Sequence, residues 1–341
     1  MRATALVAGT VVLATACTAA PSSGHGDQNA ANSPAPVVRA VIPETVSRIP
    51  GTDCPAFPRT NWWHADISTL PVHPRSAQWL SQMSTDRDLH PDFGPSYGEQ
   101  PVPYGIPITV VGQDHPMRVV RFGYADESDR VRYPLGADTR IEGGRASDGD
   151  RHAIIVDRST CRLYETWHTR KTATGWRAGS GAVWSLRGNR LRPDGWTSAD
   201  AAGLPILPGL LRYDEVLAGR VDHAIRFTTD VTDRSYLWPA RHQAGAVDDR
   251  GYPPMGARFR LRGDFDSGAY SEAARVIIEA MQRHGLVLAD NGSPWYFQGT
   301  ADRRWPEGLI EELKTIPAGA FEAVDTSSLQ VDPDLARVQE P

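Results

Sequence analysis

Eight short apolar or alternating runs, each closed off by Gly, Pro, Asp or Asn, constrain this chain more than any other feature. They occupy residues 106–111, 118–124, 152–156, 162–167, 181–186, 224–229, 257–261 and 286–289. Runs of this length, rich in Val, Ile and aromatic residues, fit strands. Clusters such as Asp148-Gly149-Asp150 and Arg187-Gly188-Asn189 fit the reversals between them. With 31 glycines and 27 prolines among 341 residues, the chain favours many turns and long ordered loops over a helical bundle. The pattern predicts a mainly β domain, a β-sandwich or jelly-roll-like fold with long loops and about three covering helices. One helix runs from His73-Pro74 to about Met83. A second covers residues 272–284, with Ser271 as N-cap, Glu272 at the positive dipole end and Gly285 just past the end. A third follows Trp305-Pro306 and ends before Pro317.

The N-terminus sets the compartment. Arg2 is followed by an apolar stretch from Ala3 to Ala16 and then Cys17. That stretch is too short to cross a ~30 Å hydrocarbon core as a helix, and its flanks fit a secretory signal. Small residues Ala14, Thr15 and Ala16 before Cys17 match a bacterial lipobox, in which the thiol carries lipid, palmitate included, and becomes the new N-terminus. Ala14 stands where leucine is usual, with Leu13 one place early. An ordinary secretion signal cleaved near Ala16 or Ala20 is the alternative. The expected arrangement is a signal peptide over residues 1–16, a lipidated cysteine and disordered tether over 17–53, one globular domain over 54–330 and a tail over 331–341. The segment 18–50 is rich in Ala, Ser, Pro, Gly and Asn and nearly lacks large apolar groups before Val37, which fits a tether. The lipid would hold the domain on the outer face of the cytoplasmic membrane.

With Cys17 assigned to lipid, Cys54 and Cys161 remain as a pair in an oxidising compartment, and a disulfide between them is expected. Two unpaired buried thiols are the alternative. The net charge is −5 with both signs mixed throughout, and no basic run offers a nucleic-acid footprint.

No familiar catalytic signature occurs: H-E-x-x-H, G-x-S-x-G, the P-loop, the dinucleotide fingerprint, C-x-x-C and S-x-x-K are all absent. Unusual loop sequence instead gathers between residues 187 and 305. The first stretch, 192–216, carries Asp194, Trp196 and Asp214 around stiffening prolines. The second, Tyr236-Leu237-Trp238-Pro239-Ala240-Arg241-His242, sets an indole, a guanidinium and an imidazole close together, groups that stack on sugar rings and bind hydroxyls or carboxylates. In the third, an apolar strand delivers Asp290 to a turn at Asn291-Gly292, followed by Trp295 and Tyr296. Asp264 adds a carboxylate from another strand end. Each stretch also has a structural reading, as an Ω-like loop, a packed aromatic edge or a plain turn. Asp150-Arg151-His152 and Asp222-His223 open apolar strands alike and can set two imidazoles at neighbouring strand ends. The spacings of His152, His223 and His242 match no standard metal site, and no metal or other cofactor is expected.

Several phrases resemble a family of secreted, uncharacterised bacterial proteins. They include Trp63-His64-Ala65-Asp66-Ile67-Ser68 with Pro71-Val72-His73-Pro74, the run from Tyr124 to Asp129, and Gly149-Asp150-Arg151-His152 with Leu163-Tyr164-Glu165. Gly179-Ser180-Gly181-Ala182, the 192–215 run, Trp238 to His242 and Asp290 to Ser293 complete the set. The resemblance covers about residues 61–328. It implies an exported domain, transfers no residue roles, and turns the expectation towards glycans.

The leading expectation is a glycoside hydrolase acting on extracellular glycan. Such an enzyme needs two carboxylates across the scissile bond. Asp194, Asp214, Asp264 and Asp290 are the candidates, with Trp196, Trp238, Trp295 and Tyr296 as sugar contacts. A polysaccharide lyase, with His152 or His242 as base and Arg241 neutralising a uronate, is the nearest rival. A non-catalytic lipoprotein that binds glycan or a protein partner is the other. The first reading requires the four aspartates to converge on one groove.

Overall fold

All eight apolar runs form strands in the computed structural model, which describes residues 45–97 and 102–339. Cys17, the signal peptide and tether residues 17–44 lie outside the described residues. The chain is mainly β, with 29% strand against 15% helix. A six-stranded mixed sheet runs in the order His90–Asp92, Tyr296–Gln298, Ile225–Thr229, Leu286–Asn291, Arg258–Leu261, Phe321–Val324. At its centre Ile225–Thr229 and Leu286–Asn291 pair in parallel.

Two four-stranded sheets form a sandwich beside it. One orders Ser180–Ser185, Arg162–Trp167, Ala153–Asp157 and Ile108–Val111. The other orders Arg132–Tyr133, Arg118–Phe122, Gly175–Ala178 and Arg170–Thr172. The strand Ala153–Asp157 shows why its sequence is continuously apolar. Ile154 and Val156 face a core with Leu163, Ala182, Trp184 and Leu207, while Ile155 faces the opposite core with Tyr133, Tyr164 and Trp176. Side chains alternate across a strand, so a sheet covered on both faces needs apolar residues at successive positions.

Helix Glu272–Arg283 lays Ala274, Ile277, Ile278 and Met281 onto the core of the six-stranded sheet. As the sequence suggests, Ser271 Oγ accepts the Ala274 N–H at 3.3 Å, and Gly285 (φ 73°) lies just beyond the helix. The helix after Pro74 is shorter than expected, Ser76–Leu80. Glu307–Leu313 forms after Trp305-Pro306, and an unforeseen short helix spans Tyr213–Leu217.

The disulfide Cys54–Cys161 is present, with Cα atoms 5.4 Å apart and a sequence separation of 107. Both expected domain ends need correction. The folded unit already includes Ser47, whose N–H donates to Asp222 Oδ2 at 2.9 Å, and the buried Ile49. The 331–341 segment is packed rather than a free tail. Ala336 and Val338 are buried, and the Trp62 N–H donates to the Ala336 carbonyl at 2.7 Å. Isolated apolar residues in polar, Pro-rich surroundings carry no period, so neither anchor stands out in the sequence.

Candidate functional site

A cleft of about 270 Å³ opens where the sandwich meets the six-stranded sheet, lined among others by Tyr124, Glu127, Asp150, Trp167, Asp200, His242 and Asp290. The sheets fix its floor. Arg226, in strand Ile225–Thr229, is 1% exposed, and its Nη2 donates to Asp200 Oδ1 at 2.6 Å. The same Nη2 lies 3.7 Å from Oδ2 of Asp290, near the end of strand Leu286–Asn291. Asp290 Oδ1 also accepts the Asn291 N–H at 2.8 Å. Asn291 is pinned in turn, its Nδ2 donating to the Ala244 carbonyl at 2.6 Å.

Asp200 rides on a tight loop. The Ser198 hydroxyl accepts the Asp200 N–H at 2.9 Å and donates to the Leu204 carbonyl at 2.6 Å. Gly203 sits at φ +70°, and a Cβ there would lie 2.5 Å from the Trp196 carbonyl oxygen, so the loop closes only on glycine. Arg192 clasps this loop to the segment opposite. Its Nε donates to the Thr197 carbonyl (2.8 Å), its Nη2 to the Glu127 carbonyl (2.7 Å) and its Nη1 to Asp129 Oδ2 (2.6 Å). Glu127 Oε2 then accepts the Thr197 N–H at 3.0 Å. On the sandwich side, Trp167 Nε1 donates to Asp150 Oδ1 at 3.1 Å, and the Tyr124 ring stands 6.3 Å from the Trp167 ring.

The electrostatics around this floor are unusual. Burial lifts Asp200 to about 7, against the pull of Arg226. Burial lifts Glu165 to about 7 as well, although both its oxygens accept backbone N–H groups of Ile206 and Leu207 at 2.8–3.0 Å. Asp290 is also raised. Burial is the main cause, and the like charge of Asp150 adds to it, against Arg226 and His152. Burial alone would lower the buried His152, but the charge and hydrogen bond of Glu142, 2.6 Å from Nδ1, outweigh it and raise the imidazole to about 9. An accessible carboxyl held above its usual range beside a second carboxylate has the character of a general acid. Among the described residues no group of three or more ligating side chains is disposed to hold a metal.

The structure brings Asp290 and His242 of the sequence candidates to the cleft. His242 Nδ1 donates to the Ala201 carbonyl at 2.8 Å, leaving Nε2 3.8 Å from Glu127. His152 lies beneath the floor, and a buried imidazole already holding its proton cannot serve as a base. The four aspartates do not converge, so the hydrolase reading as framed on Asp194, Asp214, Asp264 and Asp290 fails, and any such reading needs a different carboxylate pair. Asp194 is 69% exposed and accepts the Tyr236 hydroxyl at 3.0 Å. Asp264 is 82% exposed beside Arg262. Asp214 borders a different groove, with Arg212, Asp302 and Arg304.

The expected sugar contacts are corrected too. Trp295 is fully buried, its Nε1 donating to the Met83 carbonyl, and offers no face to a ligand. Tyr296 stacks on His90, and Trp238 packs edge-on against Trp62. Trp196 lies under Arg192. Arg241 is buried and donates to the Pro333 carbonyl and to Asp334. His152 and His223 open strands of different sheets, and His223 pairs with Glu215 at 3.1 Å.

Sequence reasoning missed Glu127, Asp150, Trp167, Asp200, Arg226 and Tyr124 as site residues. All six lie inside stretches it had singled out, but nothing in their spacing joins them. Comparison with protein-family profiles, curated proteins and solved structures gives no match. The reading of this site therefore rests on its own geometry.

Proposed function

We propose that this chain is an exported, lipid-anchored glycoside hydrolase, with Asp290 as general acid and Asp150 as the partnering carboxylate. One observation carries the reading. Asp150 and Asp290 line the same aromatic-rimmed cleft, and the charge of Asp150 helps hold Asp290 above its usual range. Glycosidases need such a division, one carboxyl protonated and one ionised. Asp290 is 28% exposed at its side chain, open enough to reach a glycosidic oxygen. Trp167 and Tyr124 supply apolar faces for a sugar ring, and the indole N–H steadies Asp150. Arg226 and Asp200 act beneath them, holding Asp290 in place without touching substrate. Export and anchoring rest on the residues before Cys17 and on the resemblance to secreted proteins.

The test is release of reducing ends from a panel of glycans by the full chain and by Asp290→Asn. Removing a general acid should lower kcat about 10²- to 10⁴-fold, with an unchanged circular dichroism spectrum. Unsaturated, ultraviolet-absorbing products would point to a lyase using His242. Binding without turnover would point to a lectin-like lipoprotein. Either result, or full activity of Asp290→Asn, removes the hydrolase assignment.

A further inference from the structure

We infer that the outer face of the sheet Arg132–Tyr133, Arg118–Phe122, Gly175–Ala178, Arg170–Thr172 binds a polyuronate, a glycan chain whose sugars carry carboxylates. This goes beyond the hydrolase reading and does not depend on it, because the face lies outside the cleft and binding alone tests it. The four strands carry five arginines, one lysine and no acidic residue, in a chain with 41 acidic against 36 basic residues. Register decides which way they point. Val120 and Trp176 pair and are buried with Tyr133 and Tyr164 inside the sandwich. Side chains alternate across a strand, so the next pair, Arg121 and Arg177, faces water, and Arg177 pairs on its other side with Arg170. Three guanidiniums therefore stand in one row at the strand spacing of about 4.8 Å. Arg132, opposite Val119, extends the same face.

Like charges directly opposite on neighbouring strands destabilise a sheet, and no carboxylate of the described residues relieves them. Arg121, Arg132 and Arg177 have no hydrogen-bond or ion-pair partner among the described residues, and Arg170 Nε donates to His168 Nε2 at 3.3 Å. Exposed arginines elsewhere do hold carboxylates, as Arg48 holds Asp53 and Arg262 holds Asp264.

A second observation gives the chemistry of the ligand. The three strands of the row meet the cleft at the same end. Arg121 lies three residues before Tyr124, Arg177 three before Ser180 and Arg170 three after Trp167, about 10 Å of chain in each case. Between row and cleft the Trp167 indole packs over Gly179, where a Cβ would stand 2.1 Å from the ring, and Tyr124 beside it is 57% exposed. Aromatic rings take the faces of sugars, and arginine forks take planar carboxylates. A lipid headgroup layer would offer the row charge but give the rings nothing to stack on. Glu127 and Asp150 line the cleft itself, so the carboxylates of such a chain belong on the row.

The experiment measures binding of polygalacturonate, its methyl ester, polymannuronate and single-stranded DNA by the full chain. At least one polyuronate should bind about tenfold or more tighter than the ester, as two or three exposed ion pairs imply. The preference should fade as salt rises from about 0.02 to 0.5 M. Arg121→Gln with Arg177→Gln should remove most of it, and Arg170→Gln alone should lower it several-fold. Because the like charges oppose one another, neither variant should lower the unfolding midpoint, which separates lost binding from lost folding.

Equal binding of the ester, or a preference kept by the double variant, would overturn the assignment. So would tighter binding of single-stranded DNA, binding of none of the four, or binding of phosphatidylglycerol vesicles in place of the polyuronates. Each of these leaves the hydrolase reading standing, whereas full activity of Asp290→Asn removes that reading and leaves this one.

Discussion

Replacing Arg226 with methionine isolates the buried charge beneath the cleft. The aliphatic stem is largely kept and the guanidinium is lost, so Asp200 loses its one charged partner and Asp290 a nearby cation. If Asp200 had to stay ionised, removing one partner of a buried pair would cost about 3–5 kcal/mol. It has another option, because its native pKa is already about 7. Without Arg226 that value moves higher and the carboxyl simply keeps its proton. Below pH 7 Asp200 is protonated in both proteins and contributes almost nothing to the difference between them. Above pH 7 the cost grows by about 1.4 kcal/mol per pH unit, so Asp200 adds about 1.4 kcal/mol at pH 8. The raised pKa of Asp290 adds to the same trend.

The sign follows from linkage. A carboxyl whose folded pKa exceeds its unfolded value of about 3.9 binds more protons when folded. The wild-type chain therefore loses stability through Asp200 as pH rises from about 4 to 7 and then levels off. The variant keeps falling beyond pH 7. Urea unfolding followed by the fluorescence of the ten tryptophans, at pH 5, 7, 8 and 9, measures this directly. A loss of 3–5 kcal/mol that is flat across this range would show that Asp200 stays charged and would refute the argument. So would a variant as stable as wild type at pH 9.

Three further outcomes are expected. Glu142→Gln should drop the His152 pKa from about 9 to below the ordinary histidine value, since burial then acts without its counter-charge. Imidazole NMR titration reads this shift, and the stability that His152 contributes below pH 6.5 in wild type should be lost. Cys54→Ser with Cys161→Ser opens a crosslink spanning 107 residues and should cost about 4–5 kcal/mol in urea unfolding, as loop-closure entropy for about 100 residues implies. Trp295→Ala should destabilise by about 3–5 kcal/mol, whereas Trp167→Ala, at the cleft wall, should leave the unfolding midpoint nearly unchanged and weaken glycan binding.

The strands were legible because their causes are local. Ile154, Ile155 and Val156 read as a strand wherever the sheet is placed, and Ser271 and Gly285 mark a helix from within the sequence itself. Site residues depend on a different scale. Glu127, Asp150, Asp200 and Asp290 sit on four separate segments, and the clasp at Arg192, the buried Arg226 and the indole of Trp167 draw them together. Neither arginine has a neighbour in sequence that marks it as a clasp or a clamp. Trp295 misleads for the converse reason. An aromatic after Asn291-Gly292 looks like a surface feature, but its backbone at φ 63° is sustained by packing of the indole against Phe227, Phe259 and Phe321. Asp194 and Asp264, by contrast, lie where turn chemistry puts aspartates, out in water.

The Arg192 clasp also bears on how the cleft meets a ligand. Three donors of one buried guanidinium reach two chain segments at 2.6–2.8 Å, so the Tyr124–Asp129 lip and the Thr197–Asp200 lip are one mechanical piece. An opening built this way has no jaw to shut. Its shape is set when the protein folds, little ordering entropy is left for the moment of binding, and a glycan should associate in a single kinetic step whose rate follows salt and diffusion rather than a closing motion.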